Sequence, residues 1–140
     1  MTSALPRYDL NDGNSLPAVG FGTYPLKGDS GIAAMVSALE VGYRLLDSAV
    51  NYENEEEVGA ALRASAVARE DVQVTTKIAG RDHAGALATQ SVEDSLRRLR
   101  LDYLDLCLIH WPNPSVGKYV EAWRALETAR HTALASQLSR

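Results

Sequence analysis

The chain has 140 residues, room for one ordinary domain with its own core. Its 14 basic and 18 acidic residues are scattered and sum to a formal charge of -4, which argues against a nucleic-acid partner. No apolar run approaches the roughly 18 residues a membrane span needs, and residues 1–10 lack the charged start and apolar stretch of a secretory signal, so the expectation is a soluble cytoplasmic protein.

Taken in chain order, Tyr8-Asp9-Leu10 and Ser15-Leu16-Pro17 flank Asn11-Asp12-Gly13-Asn14, where Asp-Gly is a hairpin turn signal. A first strand ends near Gly22. Ile32, Met35, Val36 and Leu39 then keep the spacing of one helix face, with Asp29 and Ser30 available as a cap and Gly42 just past the end. The run from Tyr43 to Leu46 is short, apolar and bounded by Asp47, as an interior strand would be. Glu53, Glu55, Glu56 and Glu57 crowd the first turn of a second helix, whose free amides favour negative charge, and we read them as a solvated helix start, with no metal site. Val58, Ala61 and Leu62 supply that helix's buried face.

The next strand runs from Val72 to Thr76 and ends in Lys77. Ser91 with Asp94 approximates a capping box ahead of a third helical face, Val92, Leu96 and Leu99. Leu104 to Ile109 is a strand ending in His110, and Tyr119 to Ala129 with Trp123 and Leu126 is a fourth helix. Lone Cys107 lies inside the fourth apolar run, which suits a buried, inert thiol. His83 and His131 join no constellation and are expected at the surface.

Strand ends near Gly22, Asp47, Lys77 and His110 recur at roughly the length of one strand-helix unit. Four such units in a row fit either a doubly wound dinucleotide fold or a (β/α)8 barrel. The first requires a glycine fingerprint, yet Gly20-Phe21-Gly22-Thr23-Tyr24-Pro25 lacks the third glycine and runs into proline. A barrel gathers catalytic residues from the ends of several strands on one face, which is the distribution here.

The residues gathered there suit proton transfer. A tyrosine hydroxyl, with an ordinary pKa of about 10, is a poor acid at neutral pH, and a neighbouring ammonium stabilises its phenolate. Lys77 is the candidate cation for Tyr52, Asp47 would keep Lys77 charged and oriented, and His110 could donate to a carbonyl oxygen. The set supplies a proton but no hydride, so a nicotinamide cofactor is needed for the other half of a carbonyl reduction.

Gly42-Tyr43-Arg44-Leu45-Leu46-Asp47-Ser48-Ala49, Tyr52 with Asn54-Glu55-Glu56-Glu57-Val58-Gly59, Thr75-Thr76-Lys77, and Leu104-Asp105-Leu106 through His110-Trp111-Pro112 together resemble the aldo-keto reductases. The resemblance covers about Pro6 to Leu126, the first half of a family member. It implies an α/β fold, the N-terminal half of a (β/α)8 TIM barrel of about four strand-helix units preceded by a β-hairpin. It also implies NADPH-dependent reduction of an aldehyde or ketone, with Tyr52 as proton donor, Lys77 and Asp47 tuning it and His110 orienting the substrate. Trp111 and Tyr24 match substrate-pocket residues, while Gly22, Thr23, Tyr24 and Asp47 match positions near the nicotinamide.

Two departures stand out. The sequence from Thr128 to Arg140 is not the family's continuation, a glycine turn and an apolar strand ending in a serine-asparagine pair, so residues 128–140 read as a divergent tail on a single truncated barrel domain, 1–140. A half-barrel has unpaired edges, which favours self-association, and a catalytically inactive half-barrel is the alternative expectation. Arg100 stands where many relatives place glycine at a helix exit, a position expected to need a left-handed backbone.

Overall fold

In this computed structural model the described residues are 6–131. A hairpin comes first, β1 (Arg7–Asp9) antiparallel to β2 (Ser15–Pro17). Four parallel strands follow in the order β3 (Phe21–Gly22), β4 (Leu45–Asp47), β5 (Gln73–Ile78) and β6 (Leu106–Ile109). The helices α1 (Gly28–Glu40), α2 (Glu55–Ala64) and α3 (Gly85–Leu99) connect them, and α4 (Tyr119–His131) follows β6. Sequence order equals spatial order in the sheet, as in half of a (β/α)8 barrel.

Strand register decides which side chains share a face. Pairing of Phe21 with Leu46, Leu46 with Val74, Thr76 with Cys107 and Ile78 with Ile109 puts these residues on the helix-covered side. There Leu46, Val74 and Ile78 join Met35 and Leu39 of α1, Val58 and Leu62 of α2, and Val92 and Leu99 of α3 in one core. Gly22, Asp47, Thr75, Lys77, Leu106 and Leu108 alternate onto the opposite, helix-free side. The hairpin sits at the other end of the sheet from the chemistry. Arg7 donates to the Gln73 side chain at the start of β5 (3.2 Å), and Gln73 donates to the Ser15 carbonyl (2.8 Å).

Several expectations need correction. The cap of α1 is not Asp29 or Ser30: Lys27 stands at the cap position without a side-chain capping bond, and the Glu57 carboxylate of α2 accepts from the Gly28 amide at 3.0 Å. Ser91 does not begin α3, which starts six residues earlier; its hydroxyl donates to Asp82 instead. The acidic start of α2 is not wholly solvated either. Glu55 is buried, accepting from Thr76 and pairing with Arg98 at 2.7 Å, so the carboxylate ties α2 to β5 and α3. His83, expected at the surface, is only 1% exposed, and neither ring nitrogen has a hydrogen-bond partner. A single sequence offers no signal for any of these, because each depends on a neighbour distant in the chain.

Other expectations hold. Cys107 is half-buried, and burial, with Glu55 adding to it, pushes its thiol up to about 12, so it stays protonated and unreactive. Helix α4, expected over Tyr119 to Ala129, runs to His131, and residues 132–140, most of the stretch read as a tail, lie outside the described residues.

Arg100 caps α3 at φ 55°, ψ 47°, the left-handed region its sequence position suggested. Arg100→Gly removes that strain and is expected to raise unfolding stability by about 1 kcal/mol in denaturant titrations. An unchanged or lowered midpoint would show that the left-handed cap is not strained.

Candidate active site

The carboxyl ends of β3 to β6 and the turns beyond them bring the four proton-handling candidates together. Asp47 closes β4 and Lys77 lies near the end of β5 on the same face. His110 follows β6, its amide bonded to the Ile78 carbonyl at 2.9 Å, which extends the strand pairing by one residue. Tyr52 ends a short 3₁₀ turn, Val50–Tyr52, that folds the β4 exit back over the sheet.

Lys77 organises the cluster. Its ammonium lies 2.8 Å from Asp47 Oδ1 and 2.9 Å from Oδ2, donates to the Ser48 carbonyl at 2.8 Å, and donates to Tyr52 Oη at 3.3 Å. An ammonium has three N–H donors, so all of them are committed. Tyr52 Oη therefore accepts from Lys77 and keeps its own O–H free to point outward. The Lys77 side chain is 13% exposed and that of Asp47 37%, a partly desolvated pair in which the positive field at the phenol oxygen is less screened than at the surface.

Around this centre the rings form a wall. Tyr52 meets His110 edge-on, with centroids 5.8 Å apart, and Tyr24 at 5.3 Å, while His110 and Trp111 lie nearly parallel at 6.5 Å. Tyr24 and Trp111 are largely exposed, as residues lining an open entrance are. Trp111 has φ 59°, a left-handed conformation uncommon for a bulky residue and of a kind that clusters at ligand-facing positions. His110 has its pKa lowered, by burial first and by Lys77 second, with Asp47 opposing, so near neutral pH it is an uncharged donor.

The positions proposed near a nicotinamide differ in what they offer. Gly22 is exposed, and a Cβ there would meet nothing within 4 Å, so the end of β3 beside Asp47 is open to a ligand. Thr23, also matched to a position near the nicotinamide, is fully buried and its hydroxyl donates to the Asp47 carbonyl at 3.1 Å, so its side chain holds the loop in place. Asn54 carries a role that sequence reasoning did not assign. Fully buried, it donates to the Thr23 and Leu26 carbonyls at 2.8 and 3.0 Å and accepts from the Ser48 hydroxyl at 3.0 Å, tying the loop that bears Tyr24 to the turn that bears Tyr52. Its presence within the resembling motif was the available signal. Among the described residues, no group of three or more His, Cys, Asp or Glu is placed to hold a metal ion.

The Aldo/keto reductase family model matches residues 18–134. The chain belongs to the aldo/keto reductase family. It is 55% identical over 130 residues to 2,5-diketo-D-gluconic acid reductase B of a Corynebacterium species, an alignment covering 93% of this chain and 47% of that protein. Methylglyoxal reductase DkgA of Salmonella typhimurium is 46% identical over 117 residues, 84% of this chain and 42% of that protein. Among solved structures, an aldo/keto reductase from Brucella melitensis superposes with a TM-score of 0.89 at 38% identity, covering 96% of this chain and 51% of that one. A Bombyx mori aldo-keto reductase solved in complex with NADP gives a TM-score of 0.81 at 35% identity, covering 95% of this chain and 49% of that one. The chain thus spans about half the length of the curated relatives it matches.

Because His110 has a lower pKa folded than unfolded, the unfolded chain takes up the proton first, and stability falls with falling pH. The contribution is complete above the ordinary histidine value of about 6.5 and is lost as pH falls from there through the lowered value. Urea midpoints measured from pH 8 to pH 5 should decline in this window, and His110→Asn should flatten the decline; an identical slope in the variant would contradict the assignment.

Proposed function

We propose that this chain carries the proton-handling part of an NADPH-dependent reductase that converts an aldehyde or ketone to an alcohol, with Tyr52 as proton donor. The observation that carries this reading is the commitment of all three Lys77 donors, one of them to Tyr52 Oη, which leaves the tyrosine proton free to be given away. When bound, the nicotinamide supplies the hydride that reaches the carbonyl carbon. Gly22, Tyr24 and Asp47 are the residues of this chain that would border it.

The chain's own residues handle the oxygen. His110 donates to the carbonyl oxygen and fixes its direction, Tyr52 gives its proton to that oxygen as negative charge develops, and Lys77 stabilises the phenolate left behind. Asp47 balances the ammonium when the phenol is neutral, so the site carries no unpaired charge at rest. Tyr24 and Trp111 border the substrate. Relatives named for diketogluconate and methylglyoxal reduction suggest small dicarbonyl compounds as test substrates. The NADP and NADPH complexes among the structural neighbours favour the phosphorylated cofactor.

Fluorescence titration with NADPH and an assay of methylglyoxal reduction test this directly. Tyr52→Phe is expected to lower kcat by roughly 10²- to 10⁴-fold while NADPH affinity is retained. No saturable binding at millimolar NADPH would overturn the enzyme reading for this chain alone.

One observation favours a second reading, a catalytically inactive half-barrel that associates with another copy. The outer edge of β6 has no paired strand among the described residues, and a cleft of about 410 Å³ lined by Leu106, Leu108, Trp123 and Leu126 together with the charged Asp105, Glu127 and Arg130 lies beside it. Exposed apolar edges of this kind favour pairing between chains. Light scattering of the purified chain should then show a dimer or larger species; a well-folded monomer at high concentration would exclude it.

A further inference from the structure

Resting on the proposed role of His110 as a donor to the substrate, we infer that Asn51 and Arg81 are positioning residues that set the tautomer of His110, keeping its proton on Nε2. Asn51 lies on the 3₁₀ turn between Asp47 and Tyr52, and its Nδ2 is 3.4 Å from His110 Nδ1. Its other amide atom, Oδ1, accepts from Arg81 Nη1 at 3.0 Å. Arg81 comes from a different 3₁₀ turn, Gly80–Asp82, which follows β5.

The order of donors is forced from the charged end. A guanidinium has only donors, so the atom of Asn51 facing it must be the carbonyl oxygen. The NH2 group of Asn51 is thereby turned to His110, and a group that only donates can be met only by a bare ring nitrogen. Nδ1 of His110 is therefore the acceptor, and in the neutral ring the single proton resides on Nε2. An Nε2–H is what a carbonyl oxygen in front of Tyr52 would need. Reversing the Asn51 amide would put two donors against each other at Arg81 and favour a proton on Nδ1, removing the donor from Nε2.

The charged and titratable groups around the ring come from each neighbouring strand: Asp47 at the end of β4, Tyr52 on the following turn, Lys77 on β5 and Arg81 beyond it. Burial first and Lys77 second disfavour the imidazolium, while the Asp47 carboxylate favours it. Burial and these charges therefore decide whether the ring is neutral, while Asn51 and Arg81 decide which neutral form it takes.

Two-bond ¹H–¹⁵N correlation spectra of the ¹⁵N-labelled 140-residue chain, recorded without cofactor at a pH where His110 is neutral, report the tautomer directly. His110 signals are assigned by their loss in His110→Gln. The expected result is an Nε2–H ring in the parent chain. In Asn51→Asp the carboxylate accepts from the ring, and the Nδ1–H form should become the majority. Arg81→Leu, a change at an exposed side chain, frees the Asn51 amide to turn and should produce an Nδ1–H population absent from the parent. An Nδ1–H ring in the parent, or the parent tautomer unchanged in both variants with the remaining spectrum intact, would overturn the inference. Neither result depends on NADPH binding or turnover, so failure of the reductase reading registers separately in the activity assay.

Discussion

The bonds from the Lys77 ammonium to Asp47, Ser48 and Tyr52 are the constraint on which the site depends. One side chain on β5 fixes the end of β4, the backbone just past it and the phenol on the next turn. Because an ammonium has three protons and each has a partner, the direction of the Tyr52 proton follows from counting donors. The Lys77–Asp47 pair is only partly solvated, so each charge depends on the other: without the carboxylate the cation would lack compensation.

This arrangement requires the strands to be in one register. Asp47 faces the site because Leu46 faces the core, and Lys77 does so because Thr76 and Ile78 do not. A slip of one residue would send the ammonium into the aliphatic layer of Met35, Leu39 and Val58, so the core that stabilises the fold also selects the face that carries the candidate site. Buried polar ties then hold the pieces at fixed distances. Glu55 links α2 to Thr76 and Arg98, and Asn54 joins the β3 and β4 exits. Side chains with several buried partners are costly to disturb, which gives loops the rigidity of the sheet they cap.

Much of this was legible in the chain itself. The apolar periodicities located the last three strands and the four helices, with boundaries displaced by up to about six residues, and each catalytic candidate fell at the end of a strand or on the turn after it. The hairpin followed from Asp12-Gly13 between two short strands, and the left-handed cap from the position of Arg100. Less was legible where one side chain answers another far away. Ser91 resembled a helix cap, yet the helix begins at Gly85; Thr23 matched a cofactor position, yet its hydroxyl is turned inward to Asp47.

The sequence by itself determined the alternation of strand and helix, the side chains available for proton transfer and the family resemblance, because hydrophobic period and residue chemistry are local properties. Tertiary structure alone decided that Glu55 and His83 are buried, that Asn54 joins two loops, and that Asn51 stands between Arg81 and His110. Those outcomes are set by which groups meet across the fold, and the free energy of a buried polar atom depends on the partner it finds there.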